Sequence, residues 1–111
     1  NSAEKKYYSF QKRTFESYFH SFLKSYNTRL RSHPQLKAPL QRERHALTGR
    51  VTFDEQGNIV SIKILKWSKS DEVQELFEET LKSIRSLPNP PKSLLFKESK
   101  EFNIYYQLQI N

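Results

Sequence analysis

Cysteine is absent from this 111-residue chain, which excludes disulfides, thiolate metal sites and cysteine nucleophiles together. The same absence leaves the redox compartment open. Methionine is also absent, so the chain reads as an excised piece of a longer protein. Glycine occurs only at Gly49 and Gly57, too sparse for a loop that cradles phosphates. Backbone needs account for both, at a strand start and in a tight turn. No apolar run approaches the ~18 residues of a membrane span, and no signal-peptide pattern is visible. The three histidines, His20, His33 and His45, lack the closely spaced His or carboxylate partners of a metal site or catalytic triad. They read as surface side chains. The expectation is a non-enzyme with no catalytic residues, cofactor or metal.

What is present is aromatic and basic. Apolar residues make up 35% of the chain but aromatics 14%, so burial rests on a few large rings. The net charge of +7 is unevenly placed. Residues 1–50 hold eleven Lys and Arg against three acids, whereas residues 51–111 hold eight against nine. That asymmetry fits either a solvated basic helix or a surface for an anionic partner.

The firmest local pattern is LTGRVTFDEQGNIVSIKILKW, which reads as a β-hairpin. Val51 and Phe53 alternate with polar residues, as do Val60, Ile62 and Ile64. A two-residue loop at Gln56-Gly57, or a four-residue loop over 55–58, sets Phe53 opposite Val60 and Val51 opposite Ile62. The strands are expected over residues 49–55 and 58–67.

Upstream, Tyr8, Phe15, Phe19, Phe22, Tyr26 and Leu30 fall mostly at helical steps, with Phe10, Tyr18 and Leu23 widening the stripe. They predict a long helix ending at Ser32-His33-Pro34, with this stripe covering the sheet. Residues 33–48 form a basic connector with a short helical turn over 40–46. Downstream, Ser70 or Asp71 caps a second helix whose buried face is Val73, Leu76, Phe77, Thr80, Leu81 and Ile84. Its Glu72, Glu75, Glu78 and Glu79 read as a solvated face. Leu87-Pro88-Asn89-Pro90-Pro91 stops it. The last strand is EFNIYYQLQI, with Phe102, Ile104, Tyr106, Leu108 and Ile110 on one face.

The order helix, strand, strand, helix, strand predicts an α+β fold of two layers. Three strands take the order 2-1-3, with both helices on one face. The long helix occupies residues 1–37 and the rest of a single compact domain residues 38–111. The third strand is then an exposed edge, able to take an extended peptide by strand addition. Two alternatives stand beside that: an edge covered by the first helix, and a basic nucleic-acid module using Arg42, Arg44, Arg50 and Tyr105.

Taken together, Pro39 ten residues before Gly49, the G-x-V-x-F of Gly49, Val51 and Phe53, the turn at Gly57 with NIVSIKIL, the amphipathic helix, LPNPP and FNIYYQLQI resemble the TonB C-terminal domain. TolA is a more distant likeness. The resemblance spans residues 38–111. It departs at Ala38, where a tyrosine is usual, at Trp67-Ser68-Lys69-Ser70, and in the long first helix. It implies a periplasmic domain of a protein anchored in the inner membrane, which couples the proton-motive force to import through outer-membrane receptors. The implied partners are a receptor peptide segment and, through the upstream part, an inner-membrane proton-channel complex. A homodimer is a further possibility, and nucleic acid is not an expected partner. A TolA-like envelope scaffold is the alternative role. Carried onto this chain, the contact strand is Phe102, Asn103, Ile104, Tyr105, Tyr106, Gln107, Leu108 and Gln109, with Arg42, Arg44 and Arg50 as a secondary contact.

Overall fold

A computed structural model describes residues 2–111, apart from the side chain of residue 3. Residue 1, the start of the expected helical segment 1–37, lies outside the described residues. Neither Gly nor Pro interrupts residues 2–32, and α1 runs unbroken over Ser2–Ser32. His33 donates its backbone N–H to the Arg29 carbonyl at 2.7 Å, and Pro34 then prevents continuation. A single 3-10 turn, Pro34–Leu36, leads into the short α2, Lys37–Arg42. The connector is therefore more helical, and earlier so, than residues 40–46 suggested.

The sheet has the expected order. β1 (His45–Phe53) is central, with β2 (Ile59–Lys66) and β3 (Phe102–Ile110) antiparallel to it on either side. β1 begins four residues before Gly49, so this glycine sits mid-strand rather than at its start. Its role is close approach. A Cβ there would meet Leu81 Cδ1 at 2.5 Å and Phe77 Cε2 at 3.2 Å, both from α3 (Asp71–Lys82).

The hairpin loop runs through residues 54–58. Asp54 Oδ1 accepts from the backbone N–H of Gln56 and of Asn58 at 3.0 and 2.9 Å, the side-chain turn an aspartate favours. Gly57 has φ of 86° and its carbonyl accepts from Leu87 N at 2.8 Å. The register is the expected one at Val51, which pairs with Ile62, but not at the loop end. Phe53 pairs with Ile59, not Val60, because β2 carries an extra residue at Val60 and another at Leu65. Each bulge shifts the alternation by one. Ile59, Ile62 and Ile64 thus pack against the core while Val60 is 51% exposed.

Ser70 caps α3, its side chain accepting from Val73 N at 3.3 Å. The predicted face of α3 is buried as expected, joined by Gln74, whose Oε1 accepts from Ser68 N at 2.8 Å. α1 packs on α3 on the same side of the sheet. The core centres on Phe53, Phe77, Phe102 and Phe10. Phe53 and Phe102 stack at 5.1 Å, and Phe10 meets Phe102 edge-on at 5.7 Å.

The aromatic stripe of α1 covers the core only in part. Tyr8, Phe15 and Phe19 are exposed, while the face pressed inward carries Phe10, Thr14, Ser21 and Ser25. Small serines let α1 and α3 approach closely, and Ser21 Oγ donates to the Thr80 carbonyl at 2.6 Å. Large rings on that face would hold the helices apart, so they flank it: Tyr18, Phe22, Tyr26 and Leu30 pack partly against the core. Arg29 closes the far end, ion-paired with Glu75 and, at 3.6 Å, with Glu79. Glu75 and Glu79 stay exposed, as read, and also hold Arg29 across the helix pair.

Candidate functional site

Backbone groups of β3 define the site. In an antiparallel pair, alternate residues turn N–H and C=O toward the neighbouring strand and the others turn away. The Gln107 carbonyl accepts from the Tyr18 hydroxyl of α1 at 2.8 Å, and the Glu101 carbonyl accepts from Phe96 N at 2.9 Å. Odd-numbered residues therefore point away from β1. The open edge consists of the backbone of Asn103, Tyr105, Gln107 and Gln109.

Side chains of the expected contact strand divide by face. Phe102 and Tyr106 are buried toward the helices, and Ile104 and Leu108 are half-buried there. Asn103, Tyr105, Gln107 and Gln109 occupy the outer face, where Thr52 Oγ1 donates to Asn103 Oδ1 at 2.7 Å. Tyr105 is 58% exposed. Phe102 and Tyr106 thus belong to the core and cannot read a partner's side chains.

Two devices limit the edge. At its start, the turn over residues 96–101 folds back, with Lys100 at φ of 58° and its N–H donated to the Phe96 carbonyl. This is a closure made by backbone hydrogen bonds. Further along, Tyr18 occupies the Gln107 carbonyl. Between α1 and β3 lies an open cleft of about 490 Å³, lined by Tyr7, Gln11, Thr14, Phe15 and Tyr18 on one wall and residues 103–107 on the other. Tyr18 and Tyr106 meet in it, ring centroids 4.9 Å apart. The Tyr106 hydroxyl is buried and finds no hydrogen-bond partner among the described residues. Burial pushes both phenols above the ordinary tyrosine range, and the neighbouring Tyr18 adds to the effect on Tyr106.

The opposite edge is unsuited to pairing. β2 is broken by its two bulges and carries Ser61, Lys63 and Lys66 outward.

The secondary basic residues do not form one patch. Arg42 ends α2 and Arg44 precedes β1, both exposed, whereas Arg50 lies six residues beyond Arg44, about 20 Å along a strand. Arg50 sits on the outer face between Lys63 and Tyr105, and its Nε has no partner among the described residues. Histidine 45 was misread as a surface group. It is buried, with Nε2 2.8 Å from the Pro39 carbonyl and Nδ1 3.0 Å from Ser68 Oγ, and ties the connector to the loop before α3. The signal in the sequence is its alternation with Leu47, Gly49, Val51 and Phe53, which a strand starting at Gly49 leaves out. Among the described residues no three His, Asp or Glu converge as metal ligands would, and no helix is long and apolar enough to cross a membrane.

Fold and edge together define a small α+β domain that presents one open strand beside a helix-walled cleft. The sequence profile of the family described as TonB C terminal matches residues 23–104, and the chain belongs to that family. No curated protein and no solved structure matches it. The match begins inside α1, earlier than the resemblance from residue 38, and ends inside β3, leaving residues 105–111 beyond it.

Proposed function

We propose that this chain is the periplasmic domain of a TonB-like energy transducer, which grips outer-membrane transporters by adding one of their extended segments to β3. The coupling to the proton-motive force would come through an inner-membrane complex reached by the upstream part of the protein. The chemistry is binding rather than catalysis. The observation that carries this reading is the unbulged β3, with the backbone of four alternate residues turned outward, in a member of the TonB C-terminal family.

Synthetic peptides covering the N-terminal periplasmic segments of outer-membrane receptors from the same genome, titrated into the labelled domain, provide the test. Amide shifts should concentrate on Asn103, Tyr105, Gln107 and Gln109. Shifts confined to β2, or none with any peptide, would overturn the reading. Gln107→Pro removes an outward N–H without touching the β1 ladder. It should weaken binding about tenfold, the worth of one good hydrogen bond, with an unchanged circular dichroism spectrum.

A further inference from the structure

Two tyrosine hydroxyls stand side by side in the cleft in opposite conditions. That of Tyr18 is spent on an edge carbonyl, Gln107, the group an incoming strand needs. That of Tyr106 is buried on a residue only 4% exposed, with no partner among the described residues. A buried hydroxyl without a partner is costly, and each such group in a native structure calls for an explanation. The rings are already in contact, centroids 4.9 Å apart and tilted by 37°, so the two side chains are neighbours in the cleft.

We propose that Tyr18 is a removable guard of the β3 edge: it holds the Gln107 carbonyl in the free domain and moves to the Tyr106 hydroxyl when a partner strand's N–H takes that carbonyl. This rests on the reading that β3 receives a strand. The guard answers the hazard of an open edge, since an uncapped carbonyl in mid-strand is a template for unwanted pairing. The exchange keeps the number of hydrogen bonds level. Tyr18 loses a carbonyl and gains a phenol, and Gln107 loses a phenol and gains an amide. Tyrosine hydroxyls are protonated at neutral pH in any case, so the exchange needs no proton from solvent.

The test is a double-mutant cycle with Tyr18→Phe and Tyr106→Phe, which keep both rings and remove only hydroxyls. The probe is whichever receptor-segment peptide binds the unmodified domain. Removing the Tyr106 hydroxyl leaves Tyr18 with nowhere to go on binding, so Tyr106→Phe should weaken the peptide about 2- to 10-fold. In the Tyr18→Phe background there is nothing to rehouse, and the same substitution should leave affinity unchanged. In the free domain, Tyr18→Phe should also move the Gln107 carbonyl carbon resonance. An equal effect of Tyr106→Phe in both backgrounds, or no effect in either, overturns the guard while leaving strand addition standing. If no peptide perturbs the edge of the unmodified domain, strand addition itself fails and the guard fails with it.

Discussion

Tyr106 shows what one atom can do at the residue scale. Its ring serves the core beside Tyr18, but its hydroxyl is desolvated without return in the free domain. Tyr106→Phe should therefore leave the free fold as stable or raise it by up to about 1–2 kcal/mol in urea unfolding. A loss of stability would reveal a partner for the hydroxyl. The pH dependence follows the same group. Unfolded tyrosines ionise above pH about 10 while Tyr18 and Tyr106 stay protonated in the fold. The native state then holds more protons than the unfolded one, so stability falls with pH from that point until the folded values are passed. The phenylalanine variant should fall less steeply. Neither effect is legible in the sequence, where Tyr106 was one ring of an alternating strand. Gly49 and His45 are similar cases. The residue types were visible, but their reasons (an α3 side chain pressed onto β1, a carbonyl of the connector) are contacts across the fold.

Elements were more readable where the pattern was short-range. The cap at Ser70, the buried face of α3 and the alternation of β3 all follow from neighbours a few residues apart. The β2 bulges did not, because an extra residue changes register without changing composition. For α1 the helix was legible and its buried stripe only in part: Phe10, Tyr18, Phe22, Tyr26 and Leu30 meet the core, whereas Tyr8, Phe15 and Phe19 do not. Aromatics marked a stripe, yet helix-helix approach selected the serines. The displaced rings have a use in the proposed site. Phe15 and Phe19 stack at 6.1 Å, and Phe15 lines the cleft beside β3. Replacing both with Ser should change stability by no more than about 0.5 kcal/mol, as for exposed positions elsewhere. Peptide affinity should drop, because helix-facing side chains of an added strand lose their apolar wall. Unchanged affinity in a titration by calorimetry would remove α1 from the site.

The whole molecule measures 46 × 25 × 23 Å, and the long axis is close to the length of α1, about 1.5 Å for each of its 31 residues. Strand order was legible at this scale: a helix between β2 and β3 is long enough for a crossover, and the simplest arrangement, with β1 in the middle, is the one observed. The candidate site was legible only as a strand. Which half of its backbone is free depends on two hydrogen bonds, from Tyr18 and Phe96, that no periodicity contains.

The bulged β2 has a consequence for how copies of the domain can combine. A chain with two receptive edges could join head to tail, β3 of one copy on β2 of the next, and such a heterologous contact need never close. With β2 unsuited to pairing, the proposed function gives the domain a valence of one. Its one receptive edge would accept either a foreign strand or the same edge of a second copy, and the second case would be a twofold pair with no receptive edge left over. Sedimentation velocity at rising concentration should accordingly show monomer and at most dimer. A ladder of trimers and higher species would mean that β2 can pair after all.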